Sequence, residues 1–225
     1  MIAVVDYDTG NLRSVADALR RAGAEFTLTA APAVLRAADR VILPGVGEAS
    51  SAMAKLRERG LDSVIPALTC PVLGICIGMQ LMCLSSEEGD AECLGIFPTR
   101  VRRLDADPEF ASVCGGHPEL PDADSRTAAP EGTPAASRLK VPHVGWNTVT
   151  ALRTPLFAGL PEASYVYYVH SYAADLCTAT AATTEYGRPF SAALVHDNFY
   201  GTQFHPEKSG AAGAAIIGNF LKLQP

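Results

Sequence analysis

Missing from the sequence is any run of the roughly 20 consecutive apolar residues that a bilayer-spanning helix requires; the opening MIAVV is cut off by Asp6 and Asp8. There is no basic n-region followed by a small-residue cleavage site either, so no signal peptide is expected and the chain reads as cytoplasmic. Basic charge is scarce: 18 Lys and Arg stand against 24 Asp and Glu, a net charge of −6. That balance argues against a nucleic-acid partner, which needs a basic face. Paired C-x2-C units are absent as well, which argues against a structural zinc site. The six cysteines (Cys70, Cys76, Cys83, Cys93, Cys114 and Cys177) therefore read as reduced thiols. Cys114 and His117 have a ligand-like gap but no partner pair, so no metal or other cofactor is expected.

What is present is ordinary globular material, 48% apolar and 19% charged over 225 residues, enough to bury a core without staples. The first hundred residues alternate short apolar runs with amphipathic ones. IAVVDY, EFTLTA, RVILPG and PVLGIC read as strands. Between them, GNLRSVADALRRAG places Leu12, Val15, Ala16 and Leu19 at helical spacing, SSAMAKLRERG follows suit, and GMQLMCLSS resumes the period after the fourth strand. Such alternation predicts βαβ units and a central, mostly parallel sheet flanked by helices on both faces. Residues 105–138 hold five prolines and three glycines with little apolar periodicity, the composition of a mobile insertion. Strand signals then return in KVPHVGWNTV, SYVYYVHSY, TATAATTEYG, PFSAALVHD and FYGTQFHP, before a closing helix in GAAGAAIIGNFLKL. The expectation is one α/β domain, 1–225, whose sheet gains antiparallel strands in its C-terminal half.

Chemistry concentrates in PVLGICIGMQLM, where Cys76 has Gly74 and Gly78 two residues to either side. Glycine weakens a strand interior. It does, however, clear the backbone around a sharp strand-to-helix turn, the geometry of a nucleophile elbow. The helix N-terminus beyond such a turn favours a thiolate. A nucleophile needs a base and the base an orienting group. Of the five histidines (His117, His143, His170, His196 and His205), His205 has the best local argument. Glu207 stands two residues on, on the same side of an extended chain. LPGVGEA, after the third strand, has the glycines to turn amide groups into a pocket at the carboxyl end of the sheet; the amide of Ile77 is the other expected oxyanion donor. On composition alone Trp146, the single tryptophan, belongs in a core, and His143 and His170 are satisfied strand histidines.

With LPGVG, GICIGMQ and FHPEKS in this order, the chain resembles the class I (triad) glutamine amidotransferases, a flavodoxin-like fold. VPHVGWN, VHSY and HPEKS resemble, within that family, the glutaminase subunits of imidazole glycerol phosphate synthases, which serve histidine biosynthesis. The match runs from DYDTGN to the C-terminal helix and fails over most of 105–138. The resemblance implies that Cys76 attacks the side-chain amide of L-glutamine, that His205 acts as acid and then base, and that Glu207 orients it. It gives Gly47 and Ile77 as oxyanion donors, and Gln80, Glu88, Ser171 and Tyr172, with Gly45 in the same loop, as glutamine-binding residues. It also implies a partner, a (β/α)8-barrel cyclase subunit. That subunit combines the ammonia with N'-[(5-phosphoribulosyl)formimino]-AICAR ribonucleotide to give imidazole glycerol phosphate and AICAR ribonucleotide. Gly10, Asn11, His143, Trp146, Asn147, Tyr167 and Lys208 match its docking face. Two other readings stay open: a glutaminase for anthranilate, carbamoyl phosphate or GMP synthesis, and a non-catalytic binding module.

Overall fold

The structure, a computed structural model, describes residues 1–8, 11–106 and 140–224. Gly10, Cys114, His117 and nearly all of the expected insertion lie outside the described residues. The first half runs β1 (Ile2–Val5), α1 (Leu12–Arg21), β2 (Phe26–Thr29), α2 (Pro32–Arg36), β3 (Arg40–Gly45), α3 (Ala49–Glu58), α4 (Leu61–Val64), β4 (Val72–Cys76) and α5 (Ile77–Leu81). Two short strands, β5 (Ser85–Ser86) and β6 (Ala91–Glu92), and β7 (Arg100–Arg103) follow. After residue 140 come β8 (His143–Val149), β9 (Ser164–His170), β10 (Tyr172–Ala174), β11 (Thr180–Tyr186), β12 (Arg188–His196), β13 (Phe199–Thr202) and α6 (Gly210–Phe220). No helix among the described residues is long and apolar enough to cross a membrane.

The main sheet has the order β11-β12-β13-β4-β3-β1-β2. From β2 through β13 the neighbours are parallel, while β12 and β11 add antiparallel edges. Every residue of β1 and β4 is buried, as expected of strands covered on both faces. In α1 the buried positions are Val15, Ala16, Ala18 and Leu19, and in α3 they are Ala49, Ala52, Met53 and Leu56, the stripe that amphipathic spacing dictates.

The strands read from VPHVGWN and SYVYYVH do not join this sheet. β8 and β9 form their own antiparallel hairpin, Trp146 opposite Tyr167, and β10, β7, β5 and β6 make a third small sheet. The helical period in GMQLMCLSS stops after five residues, because Ser85 and Ser86 turn into β5.

The sheet is built to let α5 sit on it. Gly74 in β4 has Leu43 of β3 on one side and Gly201 of β13 on the other. A Cβ on Gly74 would lie 2.7 Å from both the Gly78 carbonyl oxygen and the Met79 nitrogen, and one on Gly201 would run into Met79. On the helix side, a Cβ at Gly78 would collide with the Leu43 carbonyl. Backbone cannot yield as a flexible side-chain tip can. Gly78→Ala should therefore cost about 2 kcal/mol or more in chemical denaturation. Gly218→Ala, in the last turn of α6 with nothing within 4 Å of the added atom, should gain up to about 1 kcal/mol.

Candidate active site

Cys76 is the last residue of β4 and immediately precedes α5, with φ 54° and ψ −110°. A non-glycine residue there carries strain of about 1–3 kcal/mol, held by the close packing of α5 on β3, β4 and β13. The residue is only 4% exposed, so the turn does not lift the thiol into bulk solvent. It opens it instead into a cavity of about 330 Å³ lined by Val46, Gly47, Ile77, Gln80, Glu88, Pro142, Val169, His170, Ser171, Tyr172 and His205. The cavity lies at the carboxyl ends of the adjacent strands β3, β4 and β13.

His205 follows β13 and is 1% exposed. Its Nδ1 is 2.8 Å from Glu207 Oε1, which fixes the N–H on Nδ1 and leaves Nε2 as the atom free to exchange protons. Nε2 has no hydrogen-bond partner among the described residues but is close enough to Cys76 for the two to interact electrostatically. Burial alone would lower the imidazole pKa. The electrostatic pull of the facing sulfur and of the Glu207 carboxylate outweighs it and raises His205 to about 10. The turn is stapled to the β8–β9 hairpin: His205 donates its backbone N–H to the Tyr167 carbonyl, and Ser209 Oγ accepts the Tyr167 N–H while donating to the His205 carbonyl.

Two partners of the triad-like group went unread in the sequence. Asn11 Nδ2 donates to Glu207 Oε1 at 2.8 Å. Asn11 is also the N-cap of α1, yet makes no side-chain cap bond there; its amide is turned to the carboxylate instead. Gln203, fully buried beyond β13, donates from Nε2 to Cys76 Sγ at 3.8 Å and accepts from Gln80 Nε2 at 2.9 Å. No signal marked Gln203, which follows another polar residue, Thr202, in FYGTQFHP.

The other residues singled out in the sequence divide. Gly47, at φ 95°, lines the cavity with open space where a Cβ would stand, and Ile77 is the first residue of α5. Gln80 is buried in the wall, its Oε1 without a partner among the described residues. Glu88 accepts the Ala49 N–H at 3.0 Å and its carboxyl pKa is raised by burial. Ser171 and Tyr172 line the cavity. Gly45 does not; it is pressed against Ile77 and Gly78, where a Cβ would meet the Gly78 nitrogen at 2.8 Å.

On the hairpin, Trp146 is 47% exposed rather than in the core, with Tyr167 edge-on at 6.0 Å and Lys208 over the Tyr167 ring. Asn147 is half-buried, bonded to the Glu185 carbonyl and the Thr148 N–H. His143 is 4% exposed, buried on the side of the hairpin opposite Trp146. It lies stacked between Tyr168 and Tyr186.

A strained thiol, a buried imidazole held by a carboxylate and a cavity between them suit acyl transfer from a small amide or ester. A family model for class-I glutamine amidotransferases matches residues 3–223. The chain belongs to the class-I glutamine amidotransferases. This amidotransferase is 50% identical over 222 residues to the imidazole glycerol phosphate synthase subunit HisH of Bacteroides fragilis (strain YCH46), covering 99% of each chain. It is 44% identical over 237 residues to the protein of the same name from Shewanella oneidensis, covering 99% of this chain and 96% of that one. A solved glutamine amidotransferase structure superposes with a TM-score of 0.66 at 15% identity over 99% of this chain and 98% of that one, a likeness of fold.

The Asn11 contact has a measurable consequence. Asn11→Asp sets a second negative charge against Glu207 and should slow glutamine hydrolysis by this amidotransferase at least about tenfold, roughly 1.4 kcal/mol. Its melting temperature should stay near the wild-type value, since no side-chain cap is lost.

Proposed function

We propose that this amidotransferase is the glutaminase subunit of an imidazole glycerol phosphate synthase, hydrolysing L-glutamine to glutamate and ammonia through Cys76, His205 and Glu207. The observation that carries the chemistry is the elbow cysteine and the His205–Glu207 pair meeting at one cavity. The name shared by full-length relatives at 50% and 44% identity supports the choice of synthase.

In this mechanism the Cys76 sulfur attacks the side-chain carbonyl carbon of glutamine. The amides of Gly47 and Ile77 receive the oxyanion. His205 gives the Nε2 proton to the departing nitrogen, the C–N bond breaks and neutral ammonia leaves a thioester on Cys76. Water then gives a proton to Nε2 as it attacks the thioester. The C–S bond breaks, the thiolate returns and glutamate departs. Glu207, steadied by Asn11, keeps Nε2 aimed at the sulfur throughout. Gln80, Glu88, Ser171 and Tyr172 hold the substrate in the cavity.

Ammonia set free in water takes up a proton and is lost as a nucleophile. A partner that consumes it must therefore seat against the mouth of the site. The barrel cyclase is assigned that place, on the apolar outer face of the hairpin where Trp146 and Tyr167 stand with Lys208 beside them. His143 is withdrawn from that face, and Asn11 serves the triad from behind it. The chain is read as one amidotransferase domain, and as a cytoplasmic biosynthetic enzyme.

Cys76→Ala should abolish glutamine hydrolysis while leaving the fold and cyclase binding intact; hydrolysis persisting in that variant would sink the triad. Capture of another synthase in place of the barrel cyclase would move the assignment. Because His205 is raised to about 10, it keeps its acid proton throughout the neutral range. The alkaline loss of glutaminase rate should set in only as pH approaches that value, in a pH profile of single-turnover thioester formation.

A further inference from the structure

A second histidine, His170, lines the same cavity and takes no part in the steps above. Its Nδ1 is 2.8 Å from the Tyr172 carbonyl. A carbonyl only accepts, so the proton of neutral His170 is on Nδ1 and its Nε2 is a lone pair. Facing that lone pair at 2.9 Å is His143 Nδ1, which must be the donor. His143 Nε2 is then an acceptor, with Asn147 Nδ2 at 3.4 Å. The same reasoning orders the far side. Gln80 Nε2 donates both to the Tyr172 carbonyl at 2.8 Å and to Gln203 Oε1 at 2.9 Å. Turning the Gln80 amide over would set its oxygen against two acceptors. Gln203 is thereby left with its Nε2 on Cys76 Sγ at 3.8 Å. The Tyr172 carbonyl thus sets the tautomer of His170, through it the donor on His143, and on the other side the amide orientations of Gln80 and Gln203.

We propose that His143 and His170 are positioning residues: two neutral imidazoles whose donors converge with that of Gln80 on the Tyr172 carbonyl, clamping it so that Gln80 and, through it, Gln203 keep an N–H on the Cys76 sulfur. The proposal rests on the reading of Cys76 as nucleophile. Both rings are buried, which disfavours a charge. His143 is stacked on Tyr186 at 3.9 Å, and Phe190 lies edge-on to His170 at 5.2 Å. Burial, opposed by the Tyr172 carbonyl and reinforced by the cationic His205 and Arg188, lowers the His170 pKa to about 4. A proton on His170 Nε2 would point two N–H groups at each other and break that contact.

The test uses the complex with the cyclase subunit. His143→Phe keeps a flat ring in the aromatic stack but removes the donor, and should lower kcat for glutamine about tenfold, the scale of one buried hydrogen bond lost. KM for glutamine should stay within about twofold. His143→Asn, whose amide nitrogen can reach where Nδ1 stood, should recover most of the rate. Unchanged kcat in the Phe variant, a rise in KM alone, or an Asn variant no faster than Phe would each overturn the proposal. If the Phe variant does not fold, nitrogen-15 NMR of the wild-type histidines decides. Both imidazoles should be neutral Nδ1–H tautomers from pH 8 to pH 5, and an Nε2–H tautomer or an imidazolium at His170 overturns it. Inactive Cys76→Ala beside an unaffected His143→Phe would remove this proposal and leave the triad standing; active Cys76→Ala would remove the triad, and the NMR result would still judge the tautomers.

Discussion

Helix α5 approaches β3 so closely that the Leu43 carbonyl occupies the space a side chain at 78 would need. From that contact the rest of the site follows. A helix this near the sheet can begin only by a turn tight enough to force Cys76 to positive φ. The turn points the sulfur over the ends of β3 and β13, whose next residues bring Gly47 from one side and Gln203 and His205 from the other. Gly45, Gly74 and Gly201 all serve this approach. The cost of the bend at Cys76 is carried by packing across three strands, which is how a strained backbone persists at a functional position.

The two buried histidines of the cavity show how little burial alone decides. His205 and His170 are both withdrawn from water, yet one is raised to about 10 and the other lowered to about 4. The difference lies in what each ring faces. His205 lies between a sulfur able to carry negative charge and a carboxylate, both of which reward a proton. His170 faces a neutral carbonyl and has cationic neighbours, so desolvation prevails. One cavity thus holds a proton donor and a fixed neutral ring, the separation that acid–base chemistry near neutral pH requires.

The parts of the site legible in the sequence were those that depend on local geometry. Gly-x-Cys-x-Gly declares a turn through steric clearance alone, and His205 with Glu207 declares a pair through strand spacing. The α/β alternation of the first half was readable for the same reason. Contacts between distant segments were not: Gln203 on the sulfur and Asn11 on the carboxylate join residues over 100 positions apart, and nothing in either neighbourhood marks them. The separate hairpin was missed because its strands have the pattern of any half-buried pair. His143 and Trp146 were both expected on the docking face, but residues three apart in a strand point to opposite sides. The structure accordingly buries His143 and exposes Trp146.

That hairpin leaves Val144, Trp146, Tyr165 and Val169 open to water on one face. Apolar surface of this kind does not distinguish a proper partner from another copy of itself, or from any sticky chain nearby. Its hazard grows with the number of molecules left uncovered. For a cell making this protein, the quantity to regulate is therefore a ratio: molecules beyond those a partner can shield add little capacity and a growing tendency to clump.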